Sequence, residues 1–449
     1  MLLAKLSSRW SHVAGGRQVP HMTPVPGRLA EPPRMSPTGT KRGNLSLRWR
    51  AGHVVTPLQP GVQNGAVSGY AKRRAHARIR AASSAGLDVA GFLDEASAAL
   101  ASAVPNENHM NGPYWYTLDP ESRLITSDYG GEGCQLDTSD VMRWEYLDDD
   151  VNKYSEVLGH SCGVQTLHEV TRGKPERSRI YREYMAIEGI AQEMLVALGS
   201  CTGMFWGTVR LNRLHGQPAF DADELAFMAA VAPDLAEGIR RGLVVGEAMD
   251  PDRPDVPGLI ILDADGEIVS LSAGATRWIE RLRGRSARGS LPASIASAAS
   301  AALACARGED PAGESTVLVR SVDGCWISVH GMVIAVGRTP KAAVMIDPAH
   351  PDRLTPLLMA IHGLTPRERE VTRLVLQGRS TTQLANRLEI SPHTVQQHLK
   401  SIFEKVGVRS RRELVGALFF ENFEPRVQDN GQRVSVEKPI RGGPLRRVH

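Results

Sequence analysis

Gly378–Leu414 reads GRSTTQLANRLEISPHTVQQHLKSIFEKVGVRSRREL, and this stretch decides the C-terminal fold. Ser380 followed by Gln383 is a capping pattern, opening a helix whose apolar residues are Leu384, Ala385 and Leu388. Ser391 and Pro392 start another helix only a few residues later. Upstream, Thr365, Pro366 and Glu368 open an earlier helix with Val371, Leu374 and Val375 on its buried face and Gly378 at its end. Downstream, Ser410 and Glu413 form a last capping box before Leu414, Val415, Leu418 and Phe419. Two short helices joined by a tight turn, the second longer and cleanly capped, predict a helix-turn-helix.

Helical geometry sorts the faces of the helix that begins at Pro392. At about 100° per residue, Val395, Leu399, Ile402 and Val406 share one side and face a core. His393, Gln396, Gln397 and Lys400 cluster on the other. Gln pairs bidentately with adenine and Lys donates to guanine O6 and N7, so this face can read base edges in a major groove. On an arbitrary helix a polar face is merely solvated. Here the helix stands second in a helix-turn-helix and is flanked by Arg379, Arg387, Lys405, Arg409, Arg411 and Arg412. The stripe of Leu414, Val415 and Leu418 exceeds what one small bundle needs, so it serves either a dimer contact or the intramolecular core.

Outward toward the N-terminus the patterns change. Leu87, Phe92, Ala96, Leu100 and Val104 lie near one face of a helix broken by Pro105. Strand-like runs follow at 114–118 and 124–125, helical patterns at 141–158 and 178–186, then strands at 194–198 and 204–214. The turn Gly216–Phe220 leads into a helix opened by Asp221 and Glu224. A second unit begins with Leu259–Val269, a strand, an Asp-Gly turn and a strand. A helix at 273–282 and strands at 317–322, 325–333 and 342–346 complete it, with an Asp/Pro-rich linker at 250–257 before it.

These stretches carry three resemblances. Residues 360–422, with "LTPREREV" and the stretch quoted above, closely resemble the DNA-binding domain of LuxR-type transcription regulators. The resemblance implies an all-α four-helix domain whose third helix enters the major groove and whose fourth contributes to a dimer through Leu414, Val415 and Leu418. It places Gln396, Gln397 and Lys400, with His393 beside them, at base edges. It assigns Ser391, Thr394, Arg379, Arg409, Arg411 and Arg412 to phosphates. The first base-contacting position is often Lys in that family, whereas this chain has Gln396, so no operator sequence can be carried over. Residues 86–245 resemble a GAF-type sensory domain and residues 256–348 a PAS-type domain.

Composition fits that reading. The 449 residues are 42% hydrophobic and 23% charged, ample for real cores, and no apolar run reaches the roughly 18 residues of a membrane span. The net charge of +4 hides an asymmetry. Residues 1–87 sum to +13, residues 88–359 to −16 and residues 360–449 to +7, an acidic body with a polyanion-binding end. The five cysteines are dispersed, which fits a reducing cytoplasm better than a disulfide scaffold. Residues 1–85 read as a disordered basic tail: a transit peptide, a nucleic-acid-binding arm, or an extension upstream of the true start. Residues 423–449 read as a second disordered tail.

Other constellations are weaker. Asp148, Asp149 and Asp150 sit on a helical pattern and read as a solvated face, not a phospho-acceptor cluster. His160, Cys162 and His168 lack a fourth metal ligand. Trp115, Tyr116, Trp144, Phe205 and Trp206 either line a sensory cavity or are plain core. No nucleophile elbow, phosphate-binding Gly loop or metalloprotease motif supports an enzyme. The expectation is thus an α+β multidomain, one-component regulator: a cytoplasmic homodimer on double-stranded promoter DNA, in contact with RNA polymerase. It needs no membrane, metal or cofactor beyond an unidentified small-molecule signal. The competing reading is a signal-binding scaffold whose basic C-terminal domain recruits a protein.

Overall fold

The computed structural model describes residues 64–106, 112–130, 137–160, 163–245, 256–283, 291–308, 315–322, 324–336, 339–420 and 431–436. Helices α1 (Asn64–Ala82) and α2 (Val89–Ala101) lead into a first sheet. Its strands are β1 (Tyr114–Leu118), β2 (Ile125–Tyr129), β3 (Val164–Thr166), β4 (Ile190–Gly199) and β5 (Phe205–Leu214). Three short helices, α3 (Thr138–Tyr146), α4 (Tyr154–Gly159) and α5 (Leu167–Val170), interrupt them, and α6 (Ala222–Gly242) closes the unit. The strands are antiparallel in the order β2-β1-β5-β4-β3.

Both faces of this sheet are covered. Trp115, Trp206 and Val209 meet Phe92, Leu93 and Ile239 of α2 and α6 on one side. Tyr116, Leu195 and Ala197 meet Met142 and Val157 of α3 and α4 on the other. Caps hold these helices: Asp88 Oδ1 accepts from Gly91 N at 2.8 Å, and Asp221 and Glu224 form the reciprocal box expected from sequence.

The residues 64–85 depart from the expected tail. Ala75, Ile79 and Ala82 recur at helical spacing and are buried against α2 and α6, and His76 bonds Asp234 at 2.7 Å. A stripe of two alanines and one isoleucine is too sparse to stand out in an Arg-rich sequence, yet it suffices to dock a helix. The rest of 1–85 lies outside the described residues, as does most of 423–449, of which 431–435 are helical. The single helix expected over 141–158 is two helices separated by a loop, and the one at 178–186 contains a π-turn over Tyr181–Met185. Asp148 and Asp150 lie in that loop. Asp150 accepts from the N–H groups of Arg179 and Ile180, both at 2.9 Å, so it orders a chain reversal rather than facing solvent.

The second unit comprises β6 (Gly258–Leu262), β7 (Ile268–Leu271), α7 (Ala273–Leu282), α8 (Ala293–Arg307), β8 (Ser315–Arg320), β9 (Trp326–Val336) and β10 (Thr339–Pro348). Its sheet is antiparallel in the order β7-β6-β10-β9-β8. Helix α8 has no sequence-level counterpart in the expectations above. Its Ala/Ser composition gives little amphipathic signal because it is buried all round, from Ala293 to Ala304. One side packs on β9 and β10 and the other on α3 and β2, where Ser297 Oγ donates to the Ile125 carbonyl at 2.6 Å. The two units also join where Asp119 Oδ2 accepts from Leu318 N at 2.8 Å.

Helix α9 (Pro351–Ile361) then delivers the chain to α10 (Pro366–Leu376), α11 (Thr381–Leu388), α12 (Pro392–Val406) and α13 (Arg411–Val415), followed by a π-turn over Gly416–Phe420. Among the described residues, no helix is long and apolar enough to cross a membrane.

Candidate nucleic-acid interface

Local chemistry sets the four C-terminal helices. Thr365 Oγ1 accepts from Glu368 N at 3.3 Å while Thr365 N donates to Glu368 Oε2 at 2.8 Å. Ser380 and Gln383 repeat the box on α11, and Ser391 Oγ accepts from Thr394 N at 3.0 Å on α12. Between α11 and α12, Glu389 adopts the left-handed conformation at φ 55°, which makes the tight turn. Val395, Leu399 and Ile402 are buried against α10 and α11.

The opposite face of α12 is open. His393, Gln396, Gln397 and Lys400 are all exposed, as are Ser391, Arg379, Arg409 and Arg412, and Thr394 is half-buried. Gln397 Nε2 lies 3.2 Å from His393 Nε2, and Gln396 Nε2 donates to Thr381 Oγ1 at 3.4 Å. The Lys400 ammonium is 81% exposed and only 4.0 Å from Glu404, so little holds it back from an incoming acceptor. The structure thus brings together the four side chains that geometry assigned to one face.

Two groups of expected residues are engaged elsewhere. Leu414 and Leu418 are wholly buried in the intramolecular core, where α13 packs on α10 and the π-turn on α9, so they offer no surface to a second copy. Val415 is half-buried. The stripe is long because its end, on the π-turn, also serves α9, a helix with no counterpart among the expected elements. Arg411 donates to the Arg379 carbonyl at 2.8 Å and to Thr381 Oγ1 at 3.1 Å, which ties α13 to the start of α11. Desolvation there lowers its pKa.

Glu368 carries more than its cap. Lys405 Nζ and Ser401 Oγ of α12 donate to its carboxylate at 2.6 and 2.7 Å. Burial alone would raise its pKa, but the Lys405, Ser401 and Thr365 bonds outweigh that and hold it at about 2. Lys405, counted from sequence among the flanking cations, is therefore a strut between α10 and α12. Nothing in the spacing of 368 and 405 signalled that pair.

Residues 362–418 match the family model for bacterial regulatory proteins of the luxR family. The C-terminal segment is a luxR-family domain. Over 53 residues, 12% of this chain, it is 52% identical to HTH-type transcriptional regulators of Mycobacterium bovis and Mycobacterium tuberculosis. The chain spans only 6% of the length of those relatives. It is 26% identical over 206 residues to the nitrate/nitrite response regulator protein NarL of Escherichia coli, covering 41% of this chain and 84% of NarL. Among solved structures, SdiA in complex with octanoyl-rac-glycerol aligns over 79% of this chain and 96% of that one at 11% identity. Its TM-score of 0.28 is too low to assign a common fold.

Ahead of the luxR-family domain lies a space that sequence did not reveal. A cavity of about 620 Å³ opens where the two sheet units meet α9, lined among others by Asp119, Tyr129, Leu318, Arg320 and Leu357. Burial pushes the Asp119 carboxyl up, opposed by the N–H groups of Leu318, Glu121 and Ser122, and pushes the Tyr129 phenol to about 12. The five aromatics considered for a sensory cavity do not line it. Trp115 and Trp206 pack toward α2 and α6, whereas Tyr116 and Trp144 belong to the core on the other side of the sheet and Phe205 packs against it. Cys162 lies outside the described residues, and among those described no cluster of His, Cys, Asp or Glu is arranged for a metal.

Proposed function

We propose that this chain is a sequence-specific DNA-binding transcription regulator that inserts α12 into the major groove of promoter DNA. The observation that carries it is the exposed face of His393, Gln396, Gln397 and Lys400 on a helix whose other face is locked into the luxR-family core. Gln396, Gln397 and Lys400 read base edges. Ser391, Thr394, Arg379, Arg409 and Arg412 ring that face and bind phosphates, which position the helix without reading sequence.

Residues 86–245 act as a GAF-type and residues 256–348 as a PAS-type sensory unit. The shared strand order, second-first-fifth-fourth-third, supports that reading. A small-molecule signal is received ahead of α9. The junction cavity supports this, since about 620 Å³ falls within the range of small-molecule sites. The regulator works as a homodimer in the cytoplasm, because a two-fold operator calls for two recognition helices.

The test is selection of bound sites from random duplex DNA, with wild type beside a Gln396→Ala, Gln397→Ala, Lys400→Ala triple variant. The expected result is a partly palindromic consensus that the variant loses. Each lost base contact should reduce discrimination by about 1–3 kcal/mol. Salt-sensitive binding without a consensus would overturn base reading and shift the search to a protein partner of the basic domain.

A further inference from the structure

Among the described residues, one face of the second sheet is covered only in part. On its central strand, β10, Ala342, Val344 and Ile346 are fully or almost fully buried beneath α8, so Lys341, Ala343, Met345 and Asp347 point the other way. Register extends that outer face: Leu259 pairs with Met345 and Ile261 with Ala343 on one flank, and Met332 pairs with Ala343 and Ile334 with Lys341 on the other. Leu259 is 46% exposed, Met332 45% and Met345 37%. A corner of the face, at Leu318 and Trp326, packs into the core shared with α9, and Ala343 at the centre is buried, while Leu259, Met332 and Met345 around it stay exposed. Four strands at 4.8 Å and about seven residues at 3.4 Å give this face an extent of roughly 20 by 20 Å, within which Leu259, Met332 and Met345 form an exposed apolar cluster of the kind that marks an interaction site.

We propose that this face packs on the same face of a second copy of the chain, about a two-fold axis that crosses β10 at Val344. The proposal rests on the dimeric regulator reading and supplies the surface that Leu414 and Leu418 cannot. Charge selects the orientation. Lys341 and Asp347 stand at opposite ends of one face of one strand, three residues either side of Val344. An antiparallel two-fold sets each lysine against the partner's aspartate, whereas a parallel one would stack like charges. The same operation lays Met345 over the dip at Ala343 and Leu259 over Ile261, large against small and apolar against apolar. Asp347 is half-buried already, and that burial pushes its carboxyl up, so a facing lysine would relieve it.

Sedimentation equilibrium of the full chain without DNA tests the assignment, with Met345→Glu and the pair Lys341→Glu and Asp347→Lys alongside wild type. All three positions are at the surface of a folded sheet, and circular dichroism confirms that each variant retains its structure. Wild type should dimerise at micromolar concentration. Met345→Glu should raise the dimer dissociation constant at least 30-fold and Lys341→Glu about 10-fold. The Lys341→Glu, Asp347→Lys double variant should return to within threefold of wild type. A folded Met345→Glu protein that dimerises like wild type overturns the proposal, as does a monomeric wild type or a double variant weaker than either single one. Failure here is separable from failure of base reading: the Gln397→Ala, Lys400→Ala protein should keep the wild-type mass, and Met345→Glu should still bind a single half-site.

Discussion

The two sheets share one strand order and differ in almost everything that surrounds it. The first is enclosed on both faces, and its interior holds charge. Arg210 donates to Glu145 at 2.8 Å and to Glu193 at 3.1 Å, and Asn152 bonds Glu193 at 2.6 Å, all of them buried. The second is enclosed on one face by a helix of alanines and serines, and among the described residues its other face is covered only in part, with Leu259, Met332 and Met345 exposed. An enclosed sheet can be specified by a buried polar network, because every partner is supplied from within the chain. A half-covered sheet leaves its remaining specification to whatever docks on it. Identical wiring therefore yields an enclosed sheet in one case and one with exposed apolar side chains in the other.

The largest test of that contrast is Arg210→Met. Although burial opposes its charge, Glu193 and Glu145 hold the Arg210 guanidinium above its usual range. Removing it strands two buried carboxylates, so the first unit should lose about 3–5 kcal/mol in urea unfolding followed by tryptophan fluorescence. If the variant were as stable as wild type, the buried charge would be incidental and the contrast between the sheets would dissolve.

What was legible in the sequence was what is decided locally. The boxes at Thr365 and Glu368, at Ser380 and Gln383 and at Asp221 and Glu224 each close within four residues, and all three stand where the sequence placed them. The hairpin at β6 and β7 and the long strand β5 were equally plain, because alternation and turn residues suffice for them. What failed was what depends on distant neighbours. Helix α8 has no period to read because every side of it meets protein. The stripe on α13 and its π-turn left a dimer contact and the intramolecular core equally open, because α9, which the π-turn meets, lay outside the expected elements. The strut from Lys405 to Glu368 spans 37 residues, and the junction cavity exists only once two units and α9 have met.

A smaller effect sharpens the comparison from the side of the second sheet. Gly331 lies where α8 crosses β9, and a Cβ there would sit 2.1 Å from the Ala298 carbonyl oxygen. That obstacle is backbone, so either the helix or the strand must move. Gly331→Ala should cost about 2–3 kcal/mol, with little change in the first unit. Hydrogen exchange read peptide by peptide distinguishes the cases. Faster exchange confined to α8, β8 and β9 would show that the second sheet depends on this close approach. Equal loosening of β4 and β5 would mean that the two sheets unfold as one and that their contrast has no energetic meaning.

The smallest effect concerns two buried glutamates with opposite fates. Burial pushes the Glu145 carboxyl up despite Arg210, whereas Glu368 is held at about 2 by Lys405, Ser401 and Thr365. A carboxyl with a folded pKa below its unfolded value stabilises fully above the unfolded value and loses that contribution as pH falls through the folded one. For Glu368 the window runs from about pH 4.5 down to about pH 2. Exchange protection of α10 and α12, corrected for intrinsic rates, should therefore fall as wild type is taken from pH 5 to pH 3. Glu368→Gln should weaken those helices by about 1.5 kcal/mol at pH 7, since a charge-assisted bond becomes a neutral one. It should also flatten the acid response, because the titrating group is gone. A variant that keeps the wild-type acid slope would show that the luxR-family domain takes its pH sensitivity from another carboxylate, and that Lys405 is free after all to meet phosphate.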